Sequence, residues 1–407
     1  MVEFPVIIIV VCLLFAYGLF SKKFISSPIS PPLFFCFTGI ILSFFSNDLT
    51  ENGFNTKLIQ ILLELTLIIT LFTDASSINL KALKNFKDIP FRLLFVALPI
   101  TVIVGFGLAK LFFPEIEIVV ILLLALILAP TDAVLGQAVV TFKWVPEKIR
   151  QSINVESGLN DGFVLPFVLL CFFILDKEAD VSTTTFETSD FLFFLMKQFI
   201  FAISIGLFIG HFGSKVINRS IINKNVDHVF LTISGMLLAL VAYFFAEEVH
   251  GNGFIASYIA GLAFRNIKSN SDLKTISEFN ETITNGLNMF IFFVFGFFIV
   301  NKIFDFIDWK VIIYSLLSLT IIRMLPVIVA LTGTGLTWFD KLFVSWFGPR
   351  GIASILYLAM FVLQIDFEGY EKMINTIILT VLLSIFFHGI SAVYLSKKYK
   401  IEQKVTE

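Results

Sequence analysis

The residues of this chain that can do chemistry gather in two short stretches, Ala129-Pro130-Thr131-Asp132 and Glu156-Ser157-Gly158-Leu159-Asn160-Asp161. On a helix, Glu156 with Asn160 and Ser157 with Asp161 are each one turn apart, so two carboxylates, an amide and a hydroxyl share one side. Hard monovalent cations want oxygen ligands, and that side supplies them. Pro130 adds to the set, because a proline inside a helix removes a backbone hydrogen bond and frees carbonyls beside the hydroxyl of Thr131.

Two ionised carboxylates a turn apart in a low dielectric repel each other, so Glu156 needs a partner. Arg323, in Thr320-Ile321-Ile322-Arg323-Met324-Leu325-Pro326, is the best candidate, since its guanidinium is always charged. Asp161 is then left to hold either a proton or a cation, and the two compete for one carboxylate. If the site changes the side it faces only when occupied, cation exchanges for proton. With Glu156 neutralised throughout, one positive charge replaces another and the cycle is electroneutral.

The elements that must position these groups are membrane helices. Of the 407 residues 57% are hydrophobic, only 15% are charged and 51 are Phe. Apolar runs long enough to cross about 30 Å of hydrocarbon recur along the chain. A carboxylate at the centre of such a span costs about 2.5–3.5 kcal/mol even on insertion scales, so it marks function. The expectation is an all-α polytopic protein of thirteen transmembrane helices, at 4–21, 32–46, 58–76, 90–113, 117–138, 152–175, 190–213, 226–246, 251–264, 282–301, 309–333, 343–363 and 373–396. The first lacks a basic start and an Ala-x-Ala site, so it reads as a retained helix rather than a signal peptide. With alternate sides assigned, one side collects most of the 29 Lys and Arg, among them Lys22, Lys23, Lys143, Lys148, Arg150, Lys397 and Lys398. The positive-inside rule then puts the N-terminus outside and the C-terminus in the cytoplasm. Residues 176–189, with Asp176, Glu178, Asp180 and Glu187, form the longest external connection, and the tail after Ser396 is a stub.

Thirteen spans divide as two inverted six-helix repeats and a linking helix. The fifth and twelfth spans then correspond, and both carry a proline near the midpoint, Pro130 and Pro349. Interrupted helices at matching positions point to a transport site. Thr131 and Asp132 suit the N-terminus of a half-helix, and Arg350 in Gly348-Pro349-Arg350-Gly351 offsets the partial negative charge of a half-helix C-terminus across the crossing.

Taken together, Thr131-Asp132, the 156–161 segment, Arg323 and Gly348-Pro349-Arg350-Gly351 resemble the monovalent cation:proton antiporter-1 family, and within it the NhaP-type prokaryotic sodium/proton antiporters. The resemblance spans nearly the whole chain. It implies a homodimer in the cell membrane that works by an elevator-like motion, with no cofactor beyond the transported Na+ and H+. Residues 58–175 and 282–396 would contribute mainly the ion-translocation bundle, and 1–57 and 190–264 mainly the dimerisation scaffold. Asp161 becomes the ion- and proton-binding carboxylate, with Na+ held also by Ser157 and Thr131. Asp132 counts with the ion- and proton-binding residues and, with Asn160, supports the crossing, while Glu156 and Arg323 form a structural pair. Asn160-Asp161, rather than two consecutive aspartates, fits the electroneutral branch. Asp74 matches an acidic position near the cytoplasmic ion path, and Glu64, nearly three turns earlier, is the second candidate for that path.

Other classes fit less well. Potassium/proton exchange, or a broad range of monovalent cations, uses the same oxygens and differs only in cavity size. A channel would need a repeated filter motif, which this sequence does not show, whereas Glu156 and Arg323 read as a fixed pair in a closed site. An intramembrane aspartyl hydrolase could use Asp132 and Asp161, but would need paired catalytic aspartates without a neutralising arginine. A formal charge of −2 implies no nucleic-acid partner, and Cys12, Cys36 and Cys171 read as small apolar residues rather than disulfide or metal ligands. His211, His228, His250 and His388 show no metal spacing.

Overall fold

The computed structural model describes residues 3–25, 29–45, 56–78, 88–132, 134–175, 188–264, 270–299, 307–364 and 369–406. The acidic connection at 176–189 lies outside them up to residue 187. Among the described residues every regular element is helical. In chain order these are α1 Glu3–Ile25, α2 Pro31–Phe44, α3 Thr56–Ser77, α4 Asp88–Phe112, α5 Ile118–Ile127, α6 Gln137–Thr141, α7 Glu147–Leu175 and α8 Thr188–Ile222. Then follow α9 His228–Glu248, α10 Gly253–Ala263, α11 Asn270–Val294 with the π-helical turn Phe295–Ile299 after it, α12 Trp309–Leu319, α13 Ile321–Ala330, α14 Trp338–Trp346, α15 Ile352–Gln364 and α16 Glu371–Thr406.

Six helical stretches among the described residues are long and apolar enough to cross a membrane unaided: Asp88–Phe112, Glu147–Leu175, Met196–Ile222, His228–Glu248, Trp309–Ala330 and Glu371–Tyr399. Shorter apolar helices lie at Val11–Ser21, Pro31–Phe44, Ile118–Ile127, Gly253–Ala263 and Ile352–Val362. The apolar run at 117–138 leaves the helix after Ile127, and the run at 343–363 is interrupted from Phe347 to Gly351. Two spans that hydropathy reads as continuous are therefore pairs of shorter pieces. Past Ser396 the chain stays helical to Thr406, so the expected stub is the end of α16.

Local chemistry sets the helix starts. Ser30, Asp227, Asn252 and Asp308 each accept a backbone N–H of the first turn they precede, and Thr337 with Asp340 forms a reciprocal capping box.

The chain forms two compact units. One comprises Leu62–Ile78 and Asp161–Leu287. Its centre is the 11-residue α10, about 16 Å long at 1.5 Å per residue. Small residues let helices touch it closely: Gly206 and Gly210 of α8 lie against the backbone of Ala256 and Ala260, and Gly261 lies against Phe72. Ser257 donates to the carbonyl of Ala239 at 2.9 Å and Ser214 to that of Phe264 at 2.7 Å.

The other unit comprises Met1–Ile61, Asn79–Asn160 and Asn288–Glu407. At one end a core of Ile89, Leu93, Val145, Ile149, Val327 and Phe343 closes around Tyr399, whose hydroxyl donates to Asp340. Elsewhere Lys372 pairs with Glu115 at 3.1 Å. The Glu115 carboxyl, in the connection between α4 and α5, is held below the usual carboxylate range by a backbone hydrogen bond and by that lysine.

Candidate functional site

The two interrupted helices meet in the unit that contains α5 and α14. After α5 the backbone unwinds through Ala129 and Pro130, and after α14 through Phe347 to Gly351. The two extended stretches are stitched together: the N–H of Asp132 donates to the carbonyl of Pro349 at 2.8 Å. Asp132 uses both carboxylate oxygens on backbone, accepting from Val134 at 2.8 Å and from Ile352 at 2.9 Å. Its second bond falls on the first residue of α15, so Asp132 caps the half-helix of the other break as well as its own turn. Unfilled helix N–H groups and the positive end of the helix dipole favour a carboxylate there.

Arg350 does the converse. Its Nη1 donates to the carbonyls of Ala129 at 2.9 Å and Pro130 at 3.1 Å, where α5 has left them without helical partners. Ser354 donates to the carbonyl of Ile127 at 2.7 Å. The glycines of Gly348-Pro349-Arg350-Gly351 are needed for space. A Cβ on Gly351 would overlap the carboxylate of Asp132, and one on Gly348 would overlap the guanidinium of Arg323.

Against this crossing lies α7. Ser157 donates to the carbonyl of Thr131 at 2.8 Å, and the Asn160 amide donates to the Thr131 hydroxyl at 2.7 Å. Asn160 Oδ1 is left without a hydrogen-bond partner among the described residues. One turn back, Glu156 Oε1 lies 2.7 Å from Arg323 Nη2, a charge contact rather than an aligned hydrogen bond, with the two side chains 2% and 1% exposed. Thr131, Ser157, Asn160, Glu156, Arg323 and Arg350 are all buried.

Asp161 follows Asn160 on α7 and is itself buried. In the unit to which it belongs, the ring of Tyr258 on α10 occupies the space a Cβ on Gly162 would need. The charges of Asp161 and Asp74 both reach Tyr258. Asp74 lies near the end of α3, next to Thr73, to which Thr284 donates at 3.2 Å. Glu64 is elsewhere: its charge reaches Tyr243 and Glu247, and Glu247 accepts the first N–H of α10 at 2.7 Å. Tyr258, Ser354, Ser384 and His388 are contributors that sequence reasoning missed. Ser384 and His388 stand one turn apart in an apolar run, and that spacing is the one signal the sequence offers for them.

Around the crossing, Glu156 lies against Arg323, Asp132 and Arg350 hold backbone groups at the two breaks, and Asn160 Oδ1 is left open among the described residues. The family profile described as "Sodium/hydrogen exchanger, transmembrane" matches residues 7–398. The Na(+)/H(+) antiporter NhaH of Halobacillus dabanensis is 28% identical over 306 residues, which are 72% of this chain and 72% of that protein. The K(+)/H(+) antiporter NhaP2 of Shewanella baltica is 27% identical over 286 residues, 69% of this chain but only 47% of its own length. The structure of the sodium proton antiporter MjNhaP1 from Methanocaldococcus jannaschii shares the fold, with a TM-score of 0.76 at 20% identity over 98% of this chain and 99% of that one. A hydrolase reading is thereby set aside in favour of secondary transport. The chain belongs to the sodium/hydrogen exchanger family, the monovalent cation:proton antiporters.

Proposed function

We propose that the protein exchanges one Na+ or Li+ for one H+ across the cell membrane, electroneutrally and by alternating access, with cation and proton competing for Asp161. The observation that carries this reading is the Glu156–Arg323 contact at 2.7 Å, which cancels one of the two carboxylates of the 156–161 stretch of α7. Asp161 is then the carboxylate for which cation and proton compete. Ser157 and Thr131 supply further oxygens to the cation, and the unused Oδ1 of Asn160 stands beside them. Asp132 spends both oxygens on backbone N–H groups, which favours a supporting role at the crossing over ion ligation. Asp74 and Glu64 are the candidate residues of the ion path on this reading.

On this reading thirteen transmembrane helices form two inverted six-helix repeats joined by a linking helix, with the N-terminus outside and the C-terminus in the cytoplasm. Residues 58–175 and 282–396 form the moving bundle, and 1–57 with 190–264 form the scaffold of a homodimer. A second reading, exchange of K+ for H+, is favoured by the likeness to the Shewanella K(+)/H(+) antiporter.

Dequenching of a pH dye in everted vesicles, with Na+, Li+ and K+ across a pH series, tests both readings. Na+ and Li+ should elicit proton movement in the unaltered protein, and Asp161→Asn should abolish it. A response to K+ alone selects the second reading. Proton movement that survives Asp161→Asn removes the first and second alike.

A further inference from the structure

The second break is held open by α16. The carbonyl of Trp346, at the end of α14, lies 3.0 Å from His388 Nε2. A carbonyl only accepts, so that nitrogen carries a proton. The other ring nitrogen, Nδ1, lies 3.2 Å from both the hydroxyl and the backbone carbonyl of Ser384, one turn earlier on α16. The same hydroxyl accepts the backbone N–H of Arg350 at 2.7 Å. Trp346 carbonyl, His388, Ser384 and Arg350 N–H therefore form one continuous chain across the gap from 346 to 350. The imidazole is buried and stacks on the Trp346 indole at 4.8 Å, and that indole donates to Ser391 at 3.0 Å, again on α16.

We propose that Ser384 and His388 are positioning residues for the ion site, acting as a strut that fixes the width of the second break. The strut acts through Arg350. Its backbone is held by Ser384, while its side chain holds the carbonyls of Ala129 and Pro130, the residues leading into Thr131. Thr131 in turn presents its carbonyl to Ser157 and its hydroxyl to Asn160. A shift of α16 relative to the gap is thus passed through three hydrogen-bonded links to the oxygens offered to the cation. Neither Ser384 nor His388 touches the cation. The inference rests on the proposed antiport function.

His388→Leu, His388→Gln and Ser384→Ala in proteoliposomes test it, with apparent KM for Na+ and maximal rate measured separately. His388→Leu removes the donor to Trp346 and should raise KM severalfold at matched amounts of folded protein. Gln carries an amide N–H in place of Nε2–H and should recover most of the loss. Ser384→Ala should raise KM in the same direction by less. An unchanged KM with only a lower maximal rate overturns the strut, as does a Gln variant no better than Leu. Should His388→Leu fail to fold, the decision falls to Ser384→Ala, for which an unchanged KM has the same meaning. Unaltered protein that moves no protons with any cation overturns the function and the strut together. A normal response with unchanged KM in the variants overturns the strut alone.

Discussion

Arg323 and Arg350 are both fully buried, yet they meet opposite needs. Arg323 lies against a full negative charge, the Glu156 carboxylate at 2.7 Å. Arg350 lies against two peptide carbonyls at the end of α5, which together carry only the partial charge of a helix terminus. The difference teaches what each can lose. Without Arg323 an ion stays buried unpaired, whereas without Arg350 two carbonyls lose their donor and the first break loses its tie to the second.

The largest effect should follow from splitting the ion pair. Arg323→Met leaves Glu156 uncompensated, which costs about 3–5 kcal/mol for a buried pair, while Glu156→Gln with Arg323→Met removes both charges and should regain much of that stability. Thermal unfolding in detergent checks this, and a double variant no more stable than Arg323→Met would show that the pair is not the unit it looks like. Arg350→Ala comes next. It takes the donor from two carbonyls but leaves no full charge buried and unpaired, so the stability loss should be smaller, and transport should suffer more than folding because Thr131 follows the carbonyls that Arg350 holds. Equal losses of folded protein and of transport rate would place Arg350 with Arg323 as a purely structural group.

The same contrast explains how far the sequence could be read. Glu156, Ser157 and Asn160 were legible because helical spacing alone places them on one side, and Pro130 and Pro349 marked both breaks. Arg323 was found by charge balance, which needs no coordinates. The partners of Asp132 were not legible, since it caps α15 across the crossing rather than only the turn it begins, and no spacing rule links residues 132 and 352. Ser354, Ser384 and His388 were missed for a related reason: a polar residue in an apolar helix shows its purpose only when the opposing carbonyl or N–H is known. Hydropathy also reads 117–138 as one span although the helix stops at Ile127, because unwound backbone carries the same apolar side chains as wound backbone.

The central claim is that cation and proton compete for one carboxylate, Asp161. The most direct test is the apparent KM for Na+ measured in proteoliposomes over a series of pH values. Competition predicts that, on the acidic side, KM rises by about tenfold for each unit of falling pH while the maximal rate at saturating Na+ holds steady. A KM that stays constant while the maximal rate falls would mean that proton and cation bind at separate groups, and would contradict the account.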